Sequence, residues 1–310
     1  MPNKIKIISG TSNPALSEAI CAKLRTKPTK VLLDTFNDGE SRVEIQESVR
    51  GEDIYVMQST CSPVNDNLMQ LSLLLDALKR ASAKRVTAVI PYYGYARQDR
   101  KVSPRAPISA KLVADILYAA GMHRLITIDV HAGQIQGFFN VPVDNIFAAP
   151  VALECLRGIK GEIVIVSPDA GGVERARAYA KRINAGLAII DKRRDMPGQA
   201  SATHVIGDVK NKVAVVVDDM IDTAGTMVAA AEVLLKYKAT EVYACATHAV
   251  LSGPAMERLN KSSFKKIFLS DTIPSKAQLC DKIHIFSIAN LLAKAIYNTH
   301  TESSVSELFV

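Results

Sequence analysis

Short apolar runs and amphipathic stretches alternate along almost the whole chain. The apolar runs predict strands at Ile5–Ile8, Val31–Phe36, Asp53–Gln58, Val86–Ile90, Leu125–Val130, Ile163–Val166, Leu187–Ile190, Val213–Val217, Val242–Thr247 and Lys266–Leu269. Several are continuous rather than alternating, as expected of strands buried on both faces of a parallel sheet. Between them, the spacing predicts helices at Pro14–Leu24, Leu68–Ala81, Ile108–Ala120, Gly172–Ile183 and Thr226–Lys238, with a further helix at Ile288–Asn298. Such alternation predicts an α/β fold, a mostly parallel sheet flanked by helices.

One pattern occurs twice. Leu75–Val89 (LDALKRASAKRVTAV) and Ala231–Cys245 (AEVLLKYKATEVYAC) both read as an amphipathic helix, a turn carrying Ala83 or Ala239, and a strand opening at Val86 or Val242. With 310 residues to place, this predicts two similar domains, 1–149 and 150–310, with the last helix returning to the first. The five cysteines are scattered without a CxxC pair, and the N-terminus lacks the apolar core of a secretory signal. A reduced, cytoplasmic protein is expected, with no membrane span. A net charge of +7 suits nucleic acid or a polyanionic small substrate.

Val213–Thr226 (VAVVVDDMIDTAGT) carries the strongest chemical signal. Asp218 and Asp219 follow five apolar residues, at the carboxyl end of a central strand. Two carboxylates there are costly unless cations or hydroxyls meet them, and ligands of open α/β sheets bind in that crevice. Asp222, Thr223, Ala224, Gly225 and Thr226 then open a helix, whose amides can hold a phosphate. A capped strand–helix turn needs one polar residue, and here there are five. Carboxylates for sugar hydroxyls beside amides for phosphate describe a sugar-phosphate site. The stretch resembles the phosphoribosyl pyrophosphate motif of phosphoribosyltransferases, which leaves both users and makers of that compound open.

Asp129–Asp144 (DVHAGQIQGFFNVPVD) places Asp129 and His131 two apart at a strand end. Strand alternation would turn both the same way, as a divalent-cation pair; a buried His bonded to its neighbouring Asp is an equal alternative. This segment is similar to the diagnostic segment of class I ribose-phosphate pyrophosphokinases. So are FNDGE at Phe36–Glu40, STCSPVNDNLM at Ser59–Met69, PYYGYARQDR at Pro91–Arg100, SPDAGG at Ser167–Gly172 and DKRR at Asp191–Arg194.

The resemblance implies two phosphoribosyltransferase-type domains and transfer of a diphosphoryl group from ATP to ribose 5-phosphate, with Mg2+ as cofactor. It implies Lys192 and Arg194 as cations on the transferring group, in a loop that follows the strand Leu187–Ile190, with Arg194 also on ribose 5-phosphate. It assigns Phe36, Asp38, Gly39, Glu40, Arg97 and Gln98 to ATP. Asp218, Asp219 and Asp222–Thr226 would hold ribose 5-phosphate, and Asp129, His131 and Asp169 the metal. Gly171 and Gly172 would allow close backbone approach to a ligand. Family members build the nucleotide pocket across a subunit contact, which implies a homo-oligomer, a hexamer by resemblance. Inorganic phosphate is implied as activator, with Arg105, Ser304, Ser306 and Phe309 in a regulatory site. Nucleic acid is not an expected partner.

Four positions depart from the family's usual pattern. Ala224 replaces a common glycine, Asn140 an often acidic residue, Val130 a Leu or Ile, and Pro104 an often polar residue of the regulatory loop. Two rivals remain. A phosphoribosyltransferase would not need the ATP loop, the His131 segment and the KRR loop together. A non-catalytic regulator of synthetases would not be expected to retain Lys192, Arg194, His131 and Asp218. No G-x-x-x-x-G-K-[ST] motif occurs, which disfavours a P-loop kinase.

Overall fold

The computed structural model describes residues 4–193, 202–274 and 280–309. The chain divides into two compact units: Met1–Ala148 with Thr272–Pro274 and Ile288–Val310, and Ala149–Asp271 with Ser275–Ser287.

The first unit runs β1 (Lys6–Ser9), α1 (Pro14–Lys23), β2 (Val31–Thr35), β3 (Ser41–Ile45), β4 (Asp53–Met57), α2 (Val64–Arg80), β5 (Arg85–Ile90), α3 (Ser109–Ala120), β6 (Arg124–Ile128) and β7 (Val143–Ile146). Its parallel sheet has the order β1-β4-β5-β6-β7. Ile54, Val56, Val86, Ala88, Ile90 and Leu125 of that sheet are buried with Leu71, Leu74, Leu75 and Leu78 of α2 and Val113 and Leu117 of α3. The run at Val31 does not join this sheet. It pairs antiparallel with β3 as a separate two-stranded ribbon, in which no residue of β2 is fully buried and β3 alternates between half-buried and exposed.

The second unit runs α4 (Ala149–Leu156), β8 (Ile163–Ser167), α5 (Val173–Ile183), β9 (Gly186–Arg193), β10 (Ala202–Ile206), β11 (Val213–Ile221), α6 (Gly225–Lys236), β12 (Glu241–Ala249), α7 (Ala255–Lys261), β13 (Ile267–Ser270) and β14 (Ile283–Phe286). Its sheet order is β10-β9-β8-β11-β12-β13-β14, parallel except for the edge pair β9–β10. The C-terminal helix α8 (Ala289–His300) belongs to the first unit and packs against α1.

The sequence repeat is a structural repeat. α2 and α6 each end on a residue with left-handed backbone, Ser82 at φ 61° and Lys238 at φ 69°. In the first, Ser82 N–H donates to Lys79 O (3.2 Å) and Ala83 N–H to Leu78 O (3.1 Å); in the second, Lys238 N–H donates to Leu235 O and Ala239 N–H to Leu234 O, both at 3.0 Å. Both are Schellman caps, which satisfy the last carbonyls of a helix. The next amide then reaches the neighbouring strand's approach, Lys84 to Glu52 O and Thr240 to Lys212 O, each at 2.9 Å.

Candidate active site

In the second unit β8 leads through α5 to β9 on one side, and β11 leads through α6 to β12 on the other. The sheet therefore changes direction between β8 and β11, which makes the carboxyl ends of these strands a topological switch point and a crevice for ligands. Val213–Val216 pair with β8 and with β12. Beyond Val216 the β8 pairing stops, while β12 follows β11 as far as Ile221. β11 is thus longer than its apolar run: the neighbouring strand pairs with Asp218 and again with Met220 and Ile221.

Asp218 and Asp219 stand at this opened edge with side chains 21% and 4% exposed. Asp219 N–H donates to Asp218 Oδ1 at 2.8 Å. Arg175, in the first turn of α5, brings its Nη1 to 3.6 Å from Asp218 and 3.4 Å from Asp219. One cation against two carboxylates does not offset their burial. Desolvation and then the charge of Asp219 push the Asp218 carboxyl up to about 8. Arg175 carries no motif signal; it is found only once α5 is folded back over the end of β11.

The Asp222–Thr226 turn follows. Ala224 is buried with φ 63°, ψ 0° and is the N-cap of α6. That helix has no side-chain cap and no acidic residue in its first turn, so its positive end is left to an incoming anion. At the end of β8, Asp169 Oδ1 accepts from Gly171 N–H (2.9 Å) and Gly172 N–H (3.1 Å). A Cβ on Gly172 would lie 2.9 Å from Ser167 Oγ. A side chain at Gly172 would therefore crowd the turn's own packing.

Lys192 lies within β9, its backbone opposite Thr203 of β10. The strand runs to Arg193, so Lys192 is a strand residue rather than one that follows the strand: pairing with β10 extends the ladder beyond Ile190. Arg194 and the side chain of Lys192 lie outside the described residues.

The nucleotide candidates fall in the first unit. Phe36–Glu40 is the turn joining β2 to β3, closed by Phe36 N–H to Glu40 O (2.8 Å) and by Gly39 N–H to Phe36 O (2.9 Å), with Gly39 at φ 95°. Asp38 Oδ1 accepts from Glu40 N–H at 3.1 Å. The Phe36 ring is 51% exposed, with the Arg42 guanidinium 5.9 Å from its centroid, a cation–π distance. Arg97 and Gln98, both exposed, sit in the loop after β5. Gln98 N–H donates to Tyr95 O (2.9 Å), and Gln98 Oε1 accepts from Ser109 Oγ (2.5 Å). Gln134 Nε2 donates to Asp99 Oδ2 at 2.9 Å, tying this loop to the His131 segment.

The same-face premise for Asp129 and His131 fails. β6 ends at Ile128 and Asp129 has φ 41°, so strand alternation does not extend across the pair. Asp129 is buried, its Oδ2 accepting from Ala148 N–H at 3.0 Å, whereas His131 is exposed. No group of three or more His, Cys, Asp or Glu among the described residues could cage a metal. Magnesium does not require one, because it keeps waters and takes substrate phosphates beside one or two carboxylates. Asp169, exposed after β8 in the second unit, fits such a carboxylate; in the first unit His131 is exposed but offers nitrogen rather than oxygen, and Asp129 has one oxygen already committed to an amide.

Arg105, at φ 66°, is exposed in the segment before α3. Ser304 and Ser306 are exposed after α8, and the Ser304 carbonyl accepts from Asn298 Nδ2 at 2.7 Å. The Phe309 side chain lies outside the described residues.

Residues 5–121 match the family described as the N-terminal domain of ribose phosphate pyrophosphokinase. Residues 193–310 match the phosphoribosyl synthetase-associated domain. The chain is 54% identical to the ribose-phosphate pyrophosphokinase of Caldanaerobacter subterraneus over 99% of this chain and 98% of that protein. It is 50% identical to ribose-phosphate pyrophosphokinase A of Dictyostelium discoideum over 100% and 99%. Its fold superposes on the crystal structure of phosphoribosylpyrophosphate synthetase from Mycobacterium smegmatis with a TM-score of 0.92, at 38% identity, covering 97% of this chain and 100% of that one. Matches of this identity, each spanning almost both chains from end to end, place the chain in the ribose-phosphate pyrophosphokinase family of enzymes.

Proposed function

We propose that the protein transfers the β,γ-diphosphoryl group of ATP to the C1 hydroxyl of ribose 5-phosphate. The C1 oxygen attacks the β-phosphorus, the bond from that phosphorus to the oxygen bridging the α-phosphate breaks, AMP leaves and the hydroxyl proton is released. The observation that carries this reading is the crevice at the end of β11, where Asp218 and Asp219 lie beside an uncapped helix N-terminus. Asp218 and Asp219 accept hydrogen bonds from sugar hydroxyls, while the Asp222–Thr226 turn receives the 5-phosphate.

The remaining roles rest on resemblance to the family. Lys192 and Arg194 neutralise charge on the transferring group; Phe36, Asp38, Gly39, Glu40, Arg97 and Gln98 bind ATP. Asp169, His131 and Asp129 hold magnesium, which when bound offsets phosphate charge. No covalent protein intermediate is needed. Purified protein with ATP, ribose 5-phosphate, Mg2+ and inorganic phosphate is expected to release AMP; no AMP above the rate without ribose 5-phosphate would sink the reading. Phosphate activation through Arg105, Ser304, Ser306 and Phe309 is read from the same assay with and without phosphate.

The homo-hexamer also rests on the resemblance. Light scattering should then give six chains of 33.6 kDa, about 200 kDa, and a monomer mass would refute it. No helix among the described residues is long and apolar enough to cross a membrane, and a cytoplasmic location is part of the proposal.

A further inference from the structure

A second segment of the second unit closes on the Asp222–Thr226 turn. It is Leu251–Arg258, which leaves β12 and enters α7. Leu251 N–H donates to Ile221 O at 2.9 Å and Ser252 N–H to Asp222 O at 3.1 Å. Ser252 Oγ also donates to Asp222 Oδ1. Arg258, one turn into α7, donates from Nη1 to the Thr223 carbonyl at 3.0 Å. The same nitrogen would lie 3.2 Å from a Cβ built on Gly225. Two residues of the turn, Asp222 and Thr223, are thereby hydrogen-bonded by Ser252 and Arg258, and Arg258 also lies close to Gly225 beyond the buried Ala224.

The turn needs such support. Ala224 is held left-handed, which costs a non-glycine residue roughly 1 kcal/mol, and no side chain caps α6 from within the turn. A carbonyl at Thr223 that pointed toward an incoming phosphate would repel it. Arg258 holds that oxygen on itself, so the amides after Ala224 are the groups presented to the anion. A guanidinium can do this and retain other donors, because its five N–H groups form a rigid fork.

We propose that Ser252 and Arg258 are positioning residues for the ribose 5-phosphate turn, fixing Asp222 and the Thr223 carbonyl so that the first turn of α6 receives the phosphate. The proposal rests on the reading of this turn as the 5-phosphate site. Gly225 is then small for a second reason besides phosphate approach: a side chain there would press on Arg258.

Calorimetric titration of the full-length protein with ribose 5-phosphate, and in parallel with ribose, tests this without turnover. Arg258→Ala should weaken ribose 5-phosphate binding about tenfold, and Arg258→Lys should recover part of that loss. In AMP formation, the KM for ribose 5-phosphate should rise while kcat and the KM for ATP stay within about twofold. Ser252→Ala should show the same selectivity with a smaller effect, and it carries the test if Arg258→Ala fails to melt cooperatively. Unchanged ribose 5-phosphate binding in both variants would overturn the proposal, as would equal losses toward ATP and ribose 5-phosphate. Wild-type protein that binds the sugar phosphate but releases no AMP would refute only the catalytic reading. Wild-type protein that does not bind it at all would refute both.

Discussion

Asp218 shows how much of this site is visible one residue at a time. The adjacent aspartates stand out in sequence because buried carboxylates are expensive. Arg175, which reaches them from another helix, offsets only part of that cost. With its carboxyl pushed from about 4 up to about 8 by burial and Asp219, Asp218 binds a proton in the folded chain that the unfolded chain has already lost. The contribution of this group to folding stability therefore falls as pH rises between those values and is constant outside them. Asp218→Asn removes the titration and leaves Asp219 alone with Arg175. The variant should match wild type near pH 4 and exceed it by at least about 2 °C in Tm at pH 8.5, in the absence of ligand. Differential scanning calorimetry across pH 4–9 measures this. A difference independent of pH would mean that Asp218 is not protonated in the folded protein. The same variant should lose ribose 5-phosphate binding.

Elements were legible where one physical cause dominated. β11 is an unbroken apolar run because it is covered on both faces, and α6 begins where small polar residues permit a turn. β3, β7, β10 and β14 carry no clear strand signal because they are four or five residues long and partly exposed. They are strands only because a neighbour supplies the ladder, and no local pattern reports a neighbour. The same holds for the start of α6. Sequence marks Ala224 as a substitution for a common glycine; only the backbone reveals the reason glycine suits it, φ 63°. Ala224→Gly would relieve roughly 1 kcal/mol of left-handed strain but enlarge unfolded-state freedom by about 0.4–1 kcal/mol. The expected net change is within about 0.5 kcal/mol, with ribose 5-phosphate binding unchanged. Ala224→Val adds a branched side chain to a buried left-handed position and should cost about 2–3 kcal/mol. Denaturant melts of the two variants decide between conformation and volume. A glycine variant that binds the sugar phosphate much more weakly would show that the methyl group itself supports the turn.

At the scale of the whole chain, the units are not simply consecutive. The chain leaves the first unit after Ala148, returns for Thr272–Pro274, and ends in it from Ile288 onward. α8 is consequently a structural part of the first unit, covering α1 with a face on which Leu291, Leu292, Ala295 and Ile296 are buried. The hydrophobic pattern announces the helix, and its return to the first domain is an expectation of the sequence; which helix it covers, α1, is seen only in the fold. At about 1.5–3 kcal/mol for each large buried aliphatic side chain, Leu291, Leu292 and Ile296 represent at most about 9 kcal/mol. That rivals the ~5–15 kcal/mol by which a whole domain is stable. A chain ending at Ser287 should therefore lose the cooperative melting of its first unit and bind a hydrophobic dye, although it retains every residue proposed to bind ATP. Its second unit, whose sheet is complete without α8, should keep a cooperative transition. A truncated chain with both transitions intact would show that α8 adds length to the first unit without stabilising it.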